Sequence, residues 1–180
     1  DGTAFRSFTD LGAIELNDYV SSIDINPNGT IIIGGDFTNA GGDSNADYIA
    51  AWRGNNWGAL MAGGVSGGSA QNIVSKVYCS SNSDIYVIGN FTYAGNLKVN
   101  RVVRSVGGAW QRLDIELPID FYSIYGILES SDGSLYLGGG FSTTSSGKNA
   151  IAAGAIDLNV SSGSANTYPF ISVAGPGKLN

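Results

Sequence analysis

The chain has 180 residues, enough for one domain; 27 are glycine, about twice the usual share, and only 13% are charged, with a net charge of −6. It has no histidine and one cysteine, Cys79, which excludes an intrachain disulfide, a multi-thiolate metal site and histidine-based catalysis or metal binding. No Lys/Arg cluster and no apolar run of spanning length occurs, so neither nucleic-acid binding nor a membrane span is expected.

The chain opens on Asp1 without a leader-like segment and reads as a processed product or a piece of something longer. The run at 5–11 predicts an outer strand with no partner strands before it. A strand over 19–25 follows, then the turn Asn26-Pro27-Asn28-Gly29, then a strand through Ile31-Ile32-Ile33-Gly34-Gly35-Asp36-Phe37. Pro, Asn and Gly in that order make a hairpin because Asn and Gly tolerate positive φ. Two more strands flank Gly54-Asn55, carrying Trp52 and Trp57.

The same plan recurs. A strand over 73–79 and the turn Ser80-Ser81-Asn82-Ser83 lead to Ile85-Tyr86-Val87-Ile88-Gly89-Asn90-Phe91. Strands on either side of Gly107-Gly108 follow, the second with Trp110. A strand over 121–128 and Ser130-Ser131-Asp132-Gly133 lead to Leu135-Tyr136-Leu137-Gly138-Gly139-Gly140-Phe141. Strands over 150–158 and near Tyr168-Pro169-Phe170-Ile171 close this third unit, which has no tryptophan. Phe37, Phe91 and Phe141 stand 54 and 50 residues apart. No apolar stripe of helical period appears, so helices should be scarce.

Four antiparallel strands per unit of about 50 residues predict β-propeller blades. The expected class is all-β, with three four-stranded blades at about 19–60, 73–113 and 121–171. The strand at 5–11 and a tail at 173–180 flank them. Three blades are an incomplete ring, so completion by the rest of a parent protein or by a second copy is expected. Phe37, Phe91, Phe141, Trp57 and Trp110 are read as core between blades. Gly35, Gly89 and Gly139, two residues before each Phe, mark a bulge or close backbone approach.

The run Gly34-Gly35-Asp36-Phe37-Thr38-Asn39-Ala40-Gly41-Gly42, then Ile49-Ala50-Ala51-Trp52, then Asn55-Asn56-Trp57, resembles the delta-60-type β-propeller repeat of bacterial and phage surface proteins. The likeness spans about residues 2–172 and is strongest in the first unit. It implies a propeller without shared catalytic residues, in a setting of cell-surface adhesion or phage tails.

Candidate chemistry is sparse. Asp24-Ile25-Asn26-Pro27-Asn28-Gly29 begins like a calcium loop but has Gly35 where the closing Glu belongs, so a hairpin turn is favoured. Asp43, Asn45 and Asp47 place oxygens at alternate positions, a weak cation candidate against a solvated loop in which Asp47 caps the start of its own strand. Asp36, Asp43, Asp47, Asp114, Glu116 and Asp120 do not recur between units, and two acids alone would have to carry hydrolysis. Cys79 is expected to be a buried, inert thiol. No cofactor, no metal and no catalysis are expected. The sequons at Asn28, Asn90 and Asn159 matter only in a eukaryotic secretory pathway.

Connection length separates the two ends of each unit. Tight turns gather at one end, while long connections at 38–47, 61–72, 92–100, 114–120 and 142–149 gather at the other. Asn39, Asp43, Asn45, Tyr93, Asn96, Lys98, Thr143 and Ser145 lie on them, in a composition suited to recognition. The expected role is a non-enzymatic, extracellular or virion-associated module that binds a glycan or a surface protein. The alternative is a structural unit of a tail, fibre or surface layer, with a polysaccharide hydrolase a distant third.

Overall fold

The computed structural model describes residues 16–68, 73–99 and 101–112, together with the strands within 123–129, 135–141, 150–156 and 171–172. The chain divides into two compact units, Asp1–Arg112 and Leu113–Asn180. The described residues are all-β and antiparallel; their helical content is one 3-10 turn, Ala40–Gly42.

In the first sheet, β1 (Val20–Ile25), β2 (Ile31–Gly35), β3 (Ile49–Trp52) and β4 (Trp57–Ala59) pair in sequence order. Next comes β5 (Val65–Ser66) on the connection. The second sheet is built from β6 (Lys76–Cys79), β7 (Ile85–Ile88), β10 (Val102–Val106) and β11 (Ala109–Arg112); β8 (Tyr93–Ala94) and β9 (Leu97–Lys98) lie between β7 and β10. In the second unit, β12 (Ser123–Glu129), β13 (Leu135–Phe141), β14 (Ala150–Ile156) and β15 (Ile171–Ser172) form a third four-stranded sheet in the same order. The three predicted meanders are therefore present. The predicted outer strand at 5–11, the tail at 173–180 and Tyr168–Phe170 lie outside the described residues.

The repeat holds at the level of single hydrogen bonds. In the first hairpin turn, Asn26 N–H donates to Thr30 O and Gly29 N–H to Asn26 O; in the second, Ser80 N–H donates to Asp84 O and Ser83 N–H to Ser80 O. Gly29 has φ 86° and Ser83, its equivalent, φ 72°, so a serine occupies a left-handed position that suits glycine. Tyr48 and Arg101 are equivalent too, both at φ 64°, each donating its N–H to the carbonyl of its unit's Phe (Phe37 or Phe91). Ser21 Oγ donates to Gly34 O, and Ser75 Oγ donates to Ile88 O. The register shifts between Val20 and Ser22 in β1 and again between Ile124 and Gly126 in β12, a bulge kept at one place in the repeat.

Gly35 sits beside this bulge in the first sheet, and Gly89 holds the equivalent place in the second repeat. A Cβ on Gly35 would strike the carbonyl of Tyr19, and one on Gly89 the carbonyl of Ile73. Close backbone approach is thus the reason for glycine at both places. Gly139 pairs with Ile124, at the corresponding point of the third sheet.

Within the first unit, β1 runs beside β6. Ile32, Ile49 and Ala51 on one face of the first sheet pack with Val74, Val77, Ile85, Val87, Phe91 and Val103 of the second repeat. The other face of the first sheet, with Ile33 and Ala50, gathers Phe37, Ala40, Ala46 and Trp57. Apolar packing on both faces explains the unbroken run Ile31-Ile32-Ile33, which does not alternate as a one-faced strand does. Phe37, Phe91 and Trp57 are buried as expected; Trp110 is only partly covered, against the edge of the larger cluster. Phe141 lies in β13, and its side chain is outside the description.

Polar side chains stitch the two sheets together at the edge strands. Ser22 Oγ accepts Val77 N–H at 3.1 Å, and Asp24 Oδ2 accepts Cys79 N–H at 2.7 Å. Asn26 Nδ2 donates to Ser83 O at 3.1 Å. Asp36 Oδ1 accepts Ile73 N–H at 2.8 Å while its Oδ2 accepts the Tyr19 hydroxyl at 2.7 Å. Edge N–H groups that would otherwise be left without partners are satisfied by side chains of the neighbouring sheet.

Candidate binding face

Two of the long connections carry strands of their own among the described residues. Residues 92–99, expected as part of a loop, form a β-hairpin from β8 and β9, and β5 joins it to give a small three-stranded sheet. Its short strands alternate: Val65, Ala94 and Leu97 turn inward to the larger apolar cluster, while Ser66, Tyr93 and Lys98 turn outward. Register places Ser66 opposite Tyr93 and Tyr93 opposite Lys98, so hydroxyl, aromatic ring and ammonium stand in one row. Tyr93 is 41% exposed, the aromatic of this row in contact with solvent. Asn96 lies at the hairpin tip and is exposed.

The connection carrying β5 also touches the other long loop of this unit. Gly95 N–H donates to Gly64 O at 2.9 Å, and Thr92 N–H donates to Ser66 O at 2.9 Å. Gly63 lies against Gly95, and Gly64 lies against the backbone carbonyls of Asn45 and Asp47. The segment 62–67 therefore bridges the loop 38–47 and the hairpin 93–98. Asn39, Asn45, Tyr93, Asn96 and Lys98 are each exposed on the segments bridged in this way. Thr143 and Ser145 lie outside the described residues. Sequence reading missed Ser66; its signal is the pair Val65-Ser66 set between Gly63-Gly64 and Gly67-Gly68, a short strand bounded by turns.

The acids of the loop 38–47 are engaged in holding it. Asp43 Oδ2 accepts Ala59 N–H at 2.9 Å and its Oδ1 accepts Asn45 N–H at 2.9 Å. These backbone donors, Ala59 first, hold the Asp43 carboxyl below its ordinary value. Asp47 Oδ1 accepts the Asn39 N–H at 2.8 Å, so Asp47 clamps the far end of the loop instead of capping its own strand. The reason is the left-handed backbone of Asn39, φ 51°, which turns its N–H toward Asp47. With Asp43 and Asp47 holding backbone amides, the trio Asp43, Asn45 and Asp47 is a loop clasp. Among the described residues no group of three or more His, Cys, Asp or Glu side chains is arranged to hold a metal.

Asp24 and Asn26 are similarly committed. Asp24 Oδ1 accepts Ile25 N–H, Asn26 Oδ1 accepts Asn28 N–H and Asn28 Oδ1 accepts Thr30 N–H, a self-satisfied turn. Asp114, Glu116 and Asp120 lie outside the described residues. No described helix is long and apolar enough to cross a membrane.

Cys79, at the end of β6, is half-buried. Burial and, secondarily, the charge of Asp24 push its thiol up from 9.0 to about 12. At pH 8 a thiol reagent is expected to modify it roughly two to three orders of magnitude more slowly than in the unfolded chain. In the folded protein the rate should keep rising with pH toward 12. The sign for stability follows. The folded thiol stays protonated where the unfolded one ionises, so its contribution is complete below pH 9 and is lost as pH climbs toward 12. Timed labelling with and without denaturant across pH 7–11 checks both.

Comparison of the chain with family models, with curated proteins and with solved structures finds no match.

Proposed function

We propose that the three sheets are blades of a β-propeller and that the protein is a non-enzymatic recognition module at a cell surface or on a virion. The blade reading is supported by the repeated bulge and by β1 lying beside β6, edge strand against edge strand. The binding reading rests on one observation: the segment 62–67 joins two long connections, which between them expose Tyr93, Lys98, Asn96, Asn39 and Asn45, with Ser66 on the segment itself. An exposed ring flanked by a hydroxyl and an ammonium, with amides beside it, suits a sugar by stacking and hydrogen bonding or a polar protein surface. The nearby acids Asp43 and Asp47 each accept backbone N–H bonds that hold their loop.

A glycan array probed with the intact protein tests the reading. Binding is expected, and Tyr93→Ala is expected to weaken it at least about tenfold, because a central aromatic contact contributes about 1.4 kcal/mol or more. A flat array together with an absence of binding to surface proteins favours the assembly-unit alternative.

A further inference from the structure

We propose that the apolar stripe of Tyr19, Val20, Ile23 and Ile25 is a docking face for the third sheet of a second copy of this chain. These four side chains are 52%, 40%, 59% and 61% exposed. So many large apolar groups at one sheet edge mark an interaction surface. The repeat indicates what covers such an edge. The equivalents in the second repeat are Ile73, Val74, Val77 and Cys79; the first three are buried and Cys79 is half-buried. Their cover is the first sheet. Val74 and Val77 enter the space left by Gly34, where an added Cβ would strike the first and crowd the second. One edge of the repeat is thus covered in its second occurrence and bare in its first.

The third sheet carries a matching furrow. In the first sheet the row that receives the valines is Ser22, Gly34 and Ile49. In the third, the same row is Gly126, Gly138 and Ala153. The second sheet has Lys76, Ile88 and Val102 there and lacks the glycine. Register therefore repeats the Gly34 position at Gly138 and makes its neighbours smaller still. Leu128 stands where Asp24 does, so the third repeat brings no side-chain acceptor at that point. None is required, because Asp24 Oδ1 already accepts Ile25 N–H at 2.8 Å; the corresponding Cys79 N–H relies on Asp24 of the other sheet. An apolar stripe whose edge amide is satisfied matches a furrow without acceptors. Each copy carries one stripe and one third sheet, so the contact is offered twice between two copies.

The proposal depends on the repeat and not on ligand binding, so the array result leaves it untouched. Sedimentation velocity of the 180-residue chain over a wide concentration range is expected to show a dimer. Ile23→Lys combined with Ile25→Lys should raise the dissociation constant at least about a hundredfold. Both residues face solvent in one copy, so the variant's circular dichroism should stay that of the parent, and its unfolding midpoint should match that of the parent diluted to where it is monomeric. The lysine variant, whose furrow is intact, should still bind parent chain through a single contact. A parent chain that stays monomeric, or a dimer indifferent to the lysines, overturns the proposal. Failure of the lysine variant to bind parent chain, the result expected when two stripes meet each other, overturns it as well.

Discussion

Phe91→Ala is expected to lower stability by about 3–5 kcal/mol, and Phe37→Ala by a comparable amount. Each ring is fully buried, and each follows the glycine of its own repeat by two residues. The carbonyl of each Phe accepts the N–H of a residue held at positive φ, Tyr48 for Phe37 and Arg101 for Phe91. Loss of the ring leaves a cavity at the point where the second strand of each sheet turns into its long connection. The two rings lie in different apolar clusters, Phe91 between the two sheets and Phe37 on the far face of the first. Their effects should therefore add to within about 0.5 kcal/mol. Denaturant titration followed by tryptophan fluorescence reads both, since Trp52, Trp57 and Trp110 all belong to the first unit. A loss below about 1 kcal/mol for either variant contradicts a core role.

Much of this arrangement is legible in the sequence because its causes are local. Pro27-Asn28-Gly29 supplies a turn, and the spacing from Gly35 to Phe37 returns at Gly89 and Phe91. What the sequence hides depends on contacts between distant segments. Ser83 adopts positive φ with no glycine to announce it, and only alignment with Gly29 reveals the requirement. Nothing about Tyr48 or Arg101 as residue types predicts left-handed backbone; the carbonyls of Phe37 and Phe91 hold them there.

The candidate site follows the same division. Tyr93, Asn96 and Lys98 are recognisable as polar or aromatic residues on a long connection. Their seating on a hairpin is not, because two-residue strands give no alternation to read. Their third strand, β5, comes from a connection more than twenty residues earlier. Asp47 illustrates the opposite error. Proximity to its own strand suggests a local cap, yet a left-handed Asn39 eight residues earlier takes the carboxylate.

Gly89→Ala is expected to destabilise by about 2–3 kcal/mol, a large effect for a single methyl group. Neither Gly35 nor Gly89 has a positive φ, so loss of conformational freedom is not the cause. The methyl would meet the Ile73 carbonyl and the Val74 Cα, backbone atoms that have no rotamer in which to retreat. Movement would have to come from residues 73–75, which lead into the first strand of the second repeat. Val74 and Val77 pack against the first sheet at Gly34, so the strain is passed to the contact between sheets. Gly35→Ala should behave alike, since its Cβ would meet the same atoms one repeat earlier, the Tyr19 carbonyl and the Val20 Cα. Gly58→Ala supplies the contrast. It also lies in a strand, but its nearest obstacle, Asp43 Oδ2 at 3.7 Å, is at ordinary contact distance. There alanine should be neutral or stabilising by up to about 1 kcal/mol, because it narrows the unfolded ensemble. Opposite signs for one chemical change at two strand glycines, measured by denaturant unfolding, would assign the recurring glycine to steric closeness; equal signs would refute that assignment.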